Sequence, residues 1–188
     1  MQGRGVRIFN SSDGLNVGQF GGGVFQKYIE QHTSLKSFHP LSVATLRLTT
    51  AIDDSGASSL RAAYLRFGTG KDSHVRSASH IRVPVCKETG QLQDGGYTVD
   101  WKKISSHPDT EVKFSGVTIP NFAACSRLVL DLQGKVPFAR CVGWDIAIDE
   151  NEQPVVMEWN GAHNDIKFSE ATTGPCFKGL GWENLWKN

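Results

Sequence analysis

Asp145, Glu158 and Asn160, two carboxylates and a carboxamide, are the residues of this 188-residue sequence best placed to do chemistry. They fall in Gly143-Trp144-Asp145-Ile146-Ala147-Ile148 and Val155-Val156-Met157-Glu158-Trp159-Asn160, which a polar turn, Asp149-Glu150-Asn151-Glu152, joins. Both runs read as strands, so side chains alternate between two faces. Cys141, Gly143, Asp145 and Ala147 then share one face, with Val142, Trp144, Ile146 and Ile148 on the other. In the second run Val156, Glu158 and Asn160 oppose Val155, Met157 and Trp159. If Ile148 pairs with Gln153, Asp145 faces Val156 and Glu158 is its diagonal neighbour, about 7–8 Å away. A slip of two residues sets Asp145 directly opposite Glu158. Neighbouring carboxylates out of water repel unless a cation lies between them. Oxygen ligands of this kind suit Mg²⁺, held by one or two carboxylates plus substrate phosphates. From the residues alone, a solvated strand face carrying ordinary acids is an equal reading.

The elements that would position this hairpin follow from periodicity and turn signals. Ser42 to Ala51 alternates as a strand, with Val43, Thr45, Arg47 and Thr49 on one face. Leu60 to Phe67 and His80 to Val85 read as further strands, and so does Val24 to Ile29 after Gly21-Gly22-Gly23. Glu30 to Ser37 is a helix or turn, and Pro120 opens a helix over Asn121 to Leu132. Ala139 to Ile148 and Pro154 to Asn160 complete an α+β pattern that leans to an antiparallel sheet with flanking helices.

Composition narrows the function classes. Hydrophobic residues are 39% and charged residues 21%, enough for a core and too apolar for a disordered chain. A net charge of +1 gives no global pull toward nucleic acid or anionic lipid. No apolar run reaches the roughly 18 residues of a membrane span, and the first residues hold no apolar signal core. The expectation is a cytoplasmic protein. Cys86, Cys125, Cys141 and Cys176 have no metal spacing and read as free thiols. The six histidines show no ligand pairing, and no nucleophile motif surrounds Ser126.

The D…E-x-N set resembles the magnesium signature of the ATP-grasp superfamily. More narrowly, an ordered series of segments resembles the sugar-transfer-associated ATP-grasp family, linked to cell-surface polysaccharide biosynthesis. The series comprises Tyr28-Ile29-Glu30-Gln31-His32, Ser42-Val43-Ala44-Thr45-Leu46-Arg47, Leu65-Arg66-Phe67-Gly68, His107-Pro108-Asp109-Thr110, Ile119-Pro120 and Gly143-Trp144-Asp145-Ile146-Ala147. Their order and spacing match over nearly the whole chain. One departure is Ser73 to His80, where the family carries a D-N…G-G stretch.

The resemblance implies an ATP-grasp-like α+β fold, N-terminally truncated. Residues 1–29 would be a remnant of the lid subdomain, with glycine-rich loop and hinge, and 30–188 the C-terminal subdomain carrying the Mg/phosphate site. It implies ATP and Mg²⁺ as cofactors, with Asp145, Glu158 and Asn160 as metal ligands. Arg47 would contact a phosphate or acyl-phosphate, as guanidinium forks suit oxyanions, and Arg66 would line the acceptor side. Gly3 and Gly5 would approach phosphates through backbone amides, while Gln26, Tyr28 and Ile29 would meet adenine. The implied activity is that of an ATP-dependent carboxylate ligase acting through an acyl-phosphate on an amine or hydroxyl acceptor. The alternative is a non-catalytic nucleotide- or ligand-binding remnant. Implied partners are nucleotide, a carboxylate and its acceptor, and a separate N-terminal subdomain or a second copy of the chain. Neither nucleic acid nor a membrane span is expected.

Overall fold

A computed structural model describes residues 9, 18, 21, 23–162 and 164–187. Seven strands form one antiparallel sheet: β1 Thr45–Ile52, β2 Ser58–Phe67, β3 Ile81–Pro84, β4 Gly96–Tyr97, β5 Lys103–Ile104, β6 Cys141–Ile148 and β7 Pro154–Asn160. Their spatial order is β5-β4-β3-β2-β1-β6-β7. The helices are α1 Thr33–Lys36, α2 Phe122–Lys135 and α3 Ile166–Thr172, followed by a 3₁₀ helix, Trp182–Lys187. None of the described helices is long and apolar enough to cross a membrane.

Local chemistry sets the two main hairpins. In the β1–β2 turn, Asp53 Oδ1 accepts from the amides of Ser55 and Ala57 and from the Ser55 hydroxyl. Asp149 Oδ1 does the same between β6 and β7, accepting from the amides of Asn151 and Gln153. Such aspartate turns offer backbone donors a partner where the ladder stops.

Cross-strand partners share a face, so the register sorts the sheet into two sides. One carries Leu46, Leu48, Leu65, Phe67, Val83, Val142, Trp144 and Ile146, all in a single buried cluster. Phe122, Cys125, Val129 and Gln133, spaced three or four residues apart on α2, are that helix's buried residues and cover this side. Helix α2 runs slightly later than the expected Asn121–Leu132, with Asn121 as its N-cap.

The other side of the sheet is polar at its centre. One row reads Glu158, Asp145, Arg47, Tyr64, Pro84; the next reads Thr45, Arg66, Arg82, Tyr97. A third holds Asn160, Gly143, Thr49 and Ala62. Strand β1 is buried at every residue because both sides are covered, the polar one in part by the chain from Asn164 through α3.

Two expectations are corrected. Val24 to Ile29 forms no strand: no described strand pairs with it, and only Gln31 makes an isolated bridge, to Asp149. Strand-favouring side chains cannot make a ladder without a neighbour. The second correction concerns β7, where strict alternation fails. Ile148 pairs with Pro154 rather than Gln153, and a bulge leaves Met157 unpaired between Ile146–Val156 and Asp145–Glu158. The extra residue turns Val156 to the Trp144 face, away from Glu158. As an edge strand, β7 also leaves Met157 and Trp159, which alternation sets on the side opposite Glu158, exposed rather than in the core.

Candidate functional site

The β7 bulge produces the arrangement that a two-residue slip would have given. Asp145 stands directly opposite Glu158, and Asn160 opposite Gly143 on the same face. Asn160 Nδ2 donates to Glu158 Oε1 at 3.3 Å. The three candidate metal ligands thus converge on one side of one hairpin.

Their surroundings differ sharply. Glu158 is exposed, whereas Asp145 is only 3% exposed. Arg47 lies opposite Asp145 on β1 and grips it at two points, Nε to Oδ1 at 2.5 Å and Nη2 to Oδ2 at 3.0 Å. Arg66 Nη2 reaches Oδ2 at 2.7 Å. Burial alone would raise the Asp145 pKa; the Arg47 bond and the charges of Arg66 and Arg47 outweigh it and hold the carboxyl below its ordinary range. Burial also opposes the Arg47 charge, and the bond and charge of Asp145 reverse that effect, so its pKa is raised.

The remaining Arg47 nitrogen, Nη1, donates to the Asn164 carbonyl at 3.0 Å. All three guanidinium nitrogens are therefore engaged within the protein, and Arg47 is 3% exposed. It holds Asp145 rather than presenting an open fork to a phosphate. Arg66 is different: it is partly exposed, and its buried Nε has no hydrogen-bond partner. On the far side of Arg47, the Tyr64 hydroxyl donates to Asp165 Oδ2 at 2.7 Å.

The donor set fits a magnesium ion. A carboxylate offers about four lone-pair positions; Arg47 takes one on each Asp145 oxygen and Arg66 pairs with Oδ2, so Oδ1 keeps an open position. Exposed Glu158 and half-buried Asn160 add further oxygens, and all are hard ligands of the type Mg²⁺ accepts. Among the described residues no group of three or more His, Cys, Asp or Glu is placed to hold a metal ion, so any ion here would rest on two carboxylates and an amide. A site with two carboxylates and an amide leaves coordination positions for phosphate oxygens and water.

The other expected site residues are placed as follows. Gln26 and Tyr28 are exposed, Ile29 is half-buried, and no hydrogen bond joins them to Asp145, Glu158 or Asn160. The chain just after them meets the β6–β7 turn, where the Glu150 amide donates to the Glu30 carbonyl and the His32 amide to that of Ile148. Gly3 and Gly5 lie outside the described residues, as does His163. Two surface clefts, of about 400 and 530 Å³, border Cys86 and Gln93 and do not reach this hairpin.

Sequence reasoning missed Tyr64, Arg82, Asn164 and Asp165 as neighbours of the site. The signal for Arg82 was its place on an alternating strand, two residues after His80. For Asn164 and Asp165 there was none, since their role depends on how the chain folds back.

The chain belongs to the sugar-transfer associated ATP-grasp family, whose model matches residues 11–180. Its α+β fold, with a seven-stranded antiparallel sheet, is ATP-grasp-like, which places the chain among ATP-binding, ligase-type modules. Searches of curated proteins and of solved structures find no match.

Proposed function

We propose that this chain is the Mg²⁺- and ATP-binding part of an ATP-dependent carboxylate ligase serving cell-surface polysaccharide synthesis. The observation that carries the proposal is the pairing of Asp145 with Glu158, with Asn160 on the same arginine-lined face. Asp145, Glu158 and Asn160 would hold the metal. Bound Mg·ATP supplies the phosphoryl group that activates the carboxylate as an acyl-phosphate, with the metal neutralising phosphate charge.

The chain's own residues prepare that site. Arg47 fixes the Asp145 carboxylate and keeps it ionised; Arg66, with one nitrogen on Asp145 and a spare donor, is placed to meet an oxyanion. Gly3 and Gly5 would bring amides to the phosphates, and Gln26, Tyr28 and Ile29 would contact adenine. In this reading residues 1–29 act as lid and hinge over the unit 30–188.

Equilibrium titration with ATP, with and without Mg²⁺, tests the proposal. Wild type should bind more tightly with Mg²⁺, and Glu158→Gln combined with Asn160→Ala should lose at least tenfold of that Mg²⁺-dependent gain. Identical ATP affinity with and without Mg²⁺ would sink the metal assignment. A second reading, a nucleotide- or ligand-binding module without turnover, is favoured by the burial of Arg47 and its three bonds inside the protein, which hold its guanidinium on Asp145 and Asn164. Binding with no ATP consumption across a panel of carboxylates and amines would support that reading.

A further inference from the structure

Arg66 of β2 and Arg82 of β3 are directly paired across the sheet. Like charges in that position repel. Arg66 has Asp145 as partner, but Arg82 has no acidic side chain within ion-pair distance among the described residues. Its guanidinium lies 4.9 Å from the centre of the Trp101 ring and 4.7 Å from that of Phe168. Its one polar contact among the described residues is long, Nη2 to the Thr98 carbonyl at 3.5 Å. The aromatic faces stabilise the positive charge and exclude water without accepting its N–H bonds.

Three buried polar atoms at this corner lack partners among the described residues: Arg66 Nε, Arg82 Nε and His80 Nε2. Arg82 is 9% exposed and His80 is 8% exposed. His80 Nδ1 lies 2.8 Å from the Arg76 carbonyl, to which only an N–H can bond, and this leaves Nε2 of the neutral ring as an acceptor. His80 immediately precedes β3, two residues before Arg82, so alternation puts it on the side of the strand that carries the Arg66–Arg82 pair, and the charges of Arg82, Arg66 and, with opposite sign, Asp165 act on its ring. Buried donors and acceptors are nearly always satisfied, so a group of three that are not calls for an occupant. The partly exposed Arg66 gives the approach from solvent.

We infer that Arg66 and Arg82 form a subsite for a small oxyanion, the phosphate or carboxylate group of a metabolite, beside the Asp145 hairpin. Two oxygens of one anion accept from the two guanidinium groups and separate their charges. A hydroxyl on the same ligand donates to His80 Nε2. This subsite goes beyond the proposed Mg·ATP site, and Arg82 takes no part in metal binding.

Thermal unfolding of the full chain with inorganic phosphate or malonate as probe, against sodium chloride of equal ionic strength, tests this inference. Wild type should show a saturable rise of a few °C in Tm. A response to phosphate alone identifies a phosphate group, and a response to malonate a carboxylate. Arg82→Met should remove the response and leave Mg²⁺-dependent ATP affinity within about twofold. Should that variant not fold, wild-type tryptophan fluorescence serves instead: it should change on phosphate or malonate addition, and Trp101→Phe should abolish the change. No Tm response beyond that of chloride, or one that survives in Arg82→Met, overturns the subsite. Unchanged fluorescence on addition of either anion overturns it equally. Loss of ATP binding by itself would bear only on the metal site.

Discussion

Arg47 of β1 and Asp145 of β6 face each other across the middle of the sheet, and their ion pair, made at two points, leaves each side chain only 4% exposed. A buried pair is a poor source of net stability, yet removing one member strands the other charge. Asp145→Asn should therefore destabilise the fold by about 3–5 kcal/mol, since it leaves both Arg47 and Arg66 without their anion. Urea denaturation measures this, and a loss below about 1 kcal/mol would contradict the role given to the pair. The acid limit carries a sign. Because the folded pKa of Asp145 is lowered, its contribution is complete above the ordinary carboxylate pKa and is lost as pH falls from there through the folded pKa. The stability gap between wild type and Asp145→Asn should narrow only below about pH 4.

Much of this pair was legible in the sequence. Alternation alone put Arg47 and Asp145 on strands, and the polar turn from Asp149 to Glu152 marked where β6 and β7 reverse, while the Asp53 turn between β1 and β2 was not read. Alternation could not reveal that β1 lies at the sheet's centre, where a guanidinium must find a carboxylate inside the protein. It also carried Val156 to the wrong face, because the bulge at Met157 is set by pairing with β6 and not by residue type. The strand expected over Val24 to Ile29 failed for a similar reason. Its side chains favour a ladder, but no described strand lies beside it.

Gly143 permits the close approach of the chain that covers Arg47. A Cβ there would stand 3.0 Å from both Arg47 Nη1 and the Asn164 Cα. The arginine tip can yield; the Asn164 backbone has to move, and with it the carbonyl that accepts from Nη1. Gly143→Ala should cost about 1–3 kcal/mol and loosen the segment leading into α3. Tryptic cleavage after Lys167 should be faster in the variant. Equal cleavage rates at unchanged stability would show that the approach is not tight.

Behind the polar face, Trp144 Nε1 donates to Thr50 Oγ1 at 2.7 Å, and that hydroxyl donates to Gln133 Oε1 at 2.7 Å. Thr50 and Gln133 are fully buried, and Gln133 Nε2 is spent on the Ala139 carbonyl. Thr50→Val keeps the shape but leaves the indole N–H and the amide oxygen unpaired, at about 1–3 kcal/mol for each. Thr50→Ser keeps the hydroxyl and should recover most of that loss. Denaturation followed by tryptophan fluorescence separates the two variants. Equal stability of the Val and Ser forms would exclude the relay.

His107 and His80 both have lowered pKa values, chiefly because burial disfavours the charged form. For His107 burial outweighs the Gly68 carbonyl and the Asp109 carboxylate, 4.0 Å from Nδ1, which favour the charged ring. Nε2 donates to the Gly68 carbonyl at 2.9 Å, while Nδ1 accepts the Asp109 amide at 3.3 Å. A proton on Nδ1 would meet that N–H donor. His80 meets the charges of Arg82 and Arg66 instead. Since each folded pKa lies below the unfolded value of 6.5, the unfolded chain takes up protons first as the solution is acidified. Stability should be full above that value and fall as pH drops through it toward the folded pKa values, by at most about 1.4 kcal/mol per pH unit for each ring. His107→Gln retains an amide N–H for Gly68 and should flatten this slope by up to one proton's worth. Unfolding free energies in phosphate-free buffer at about pH 7.5 and 5.5 decide the matter, and an unchanged slope in the variant would show that His107 is protonated without penalty in the fold.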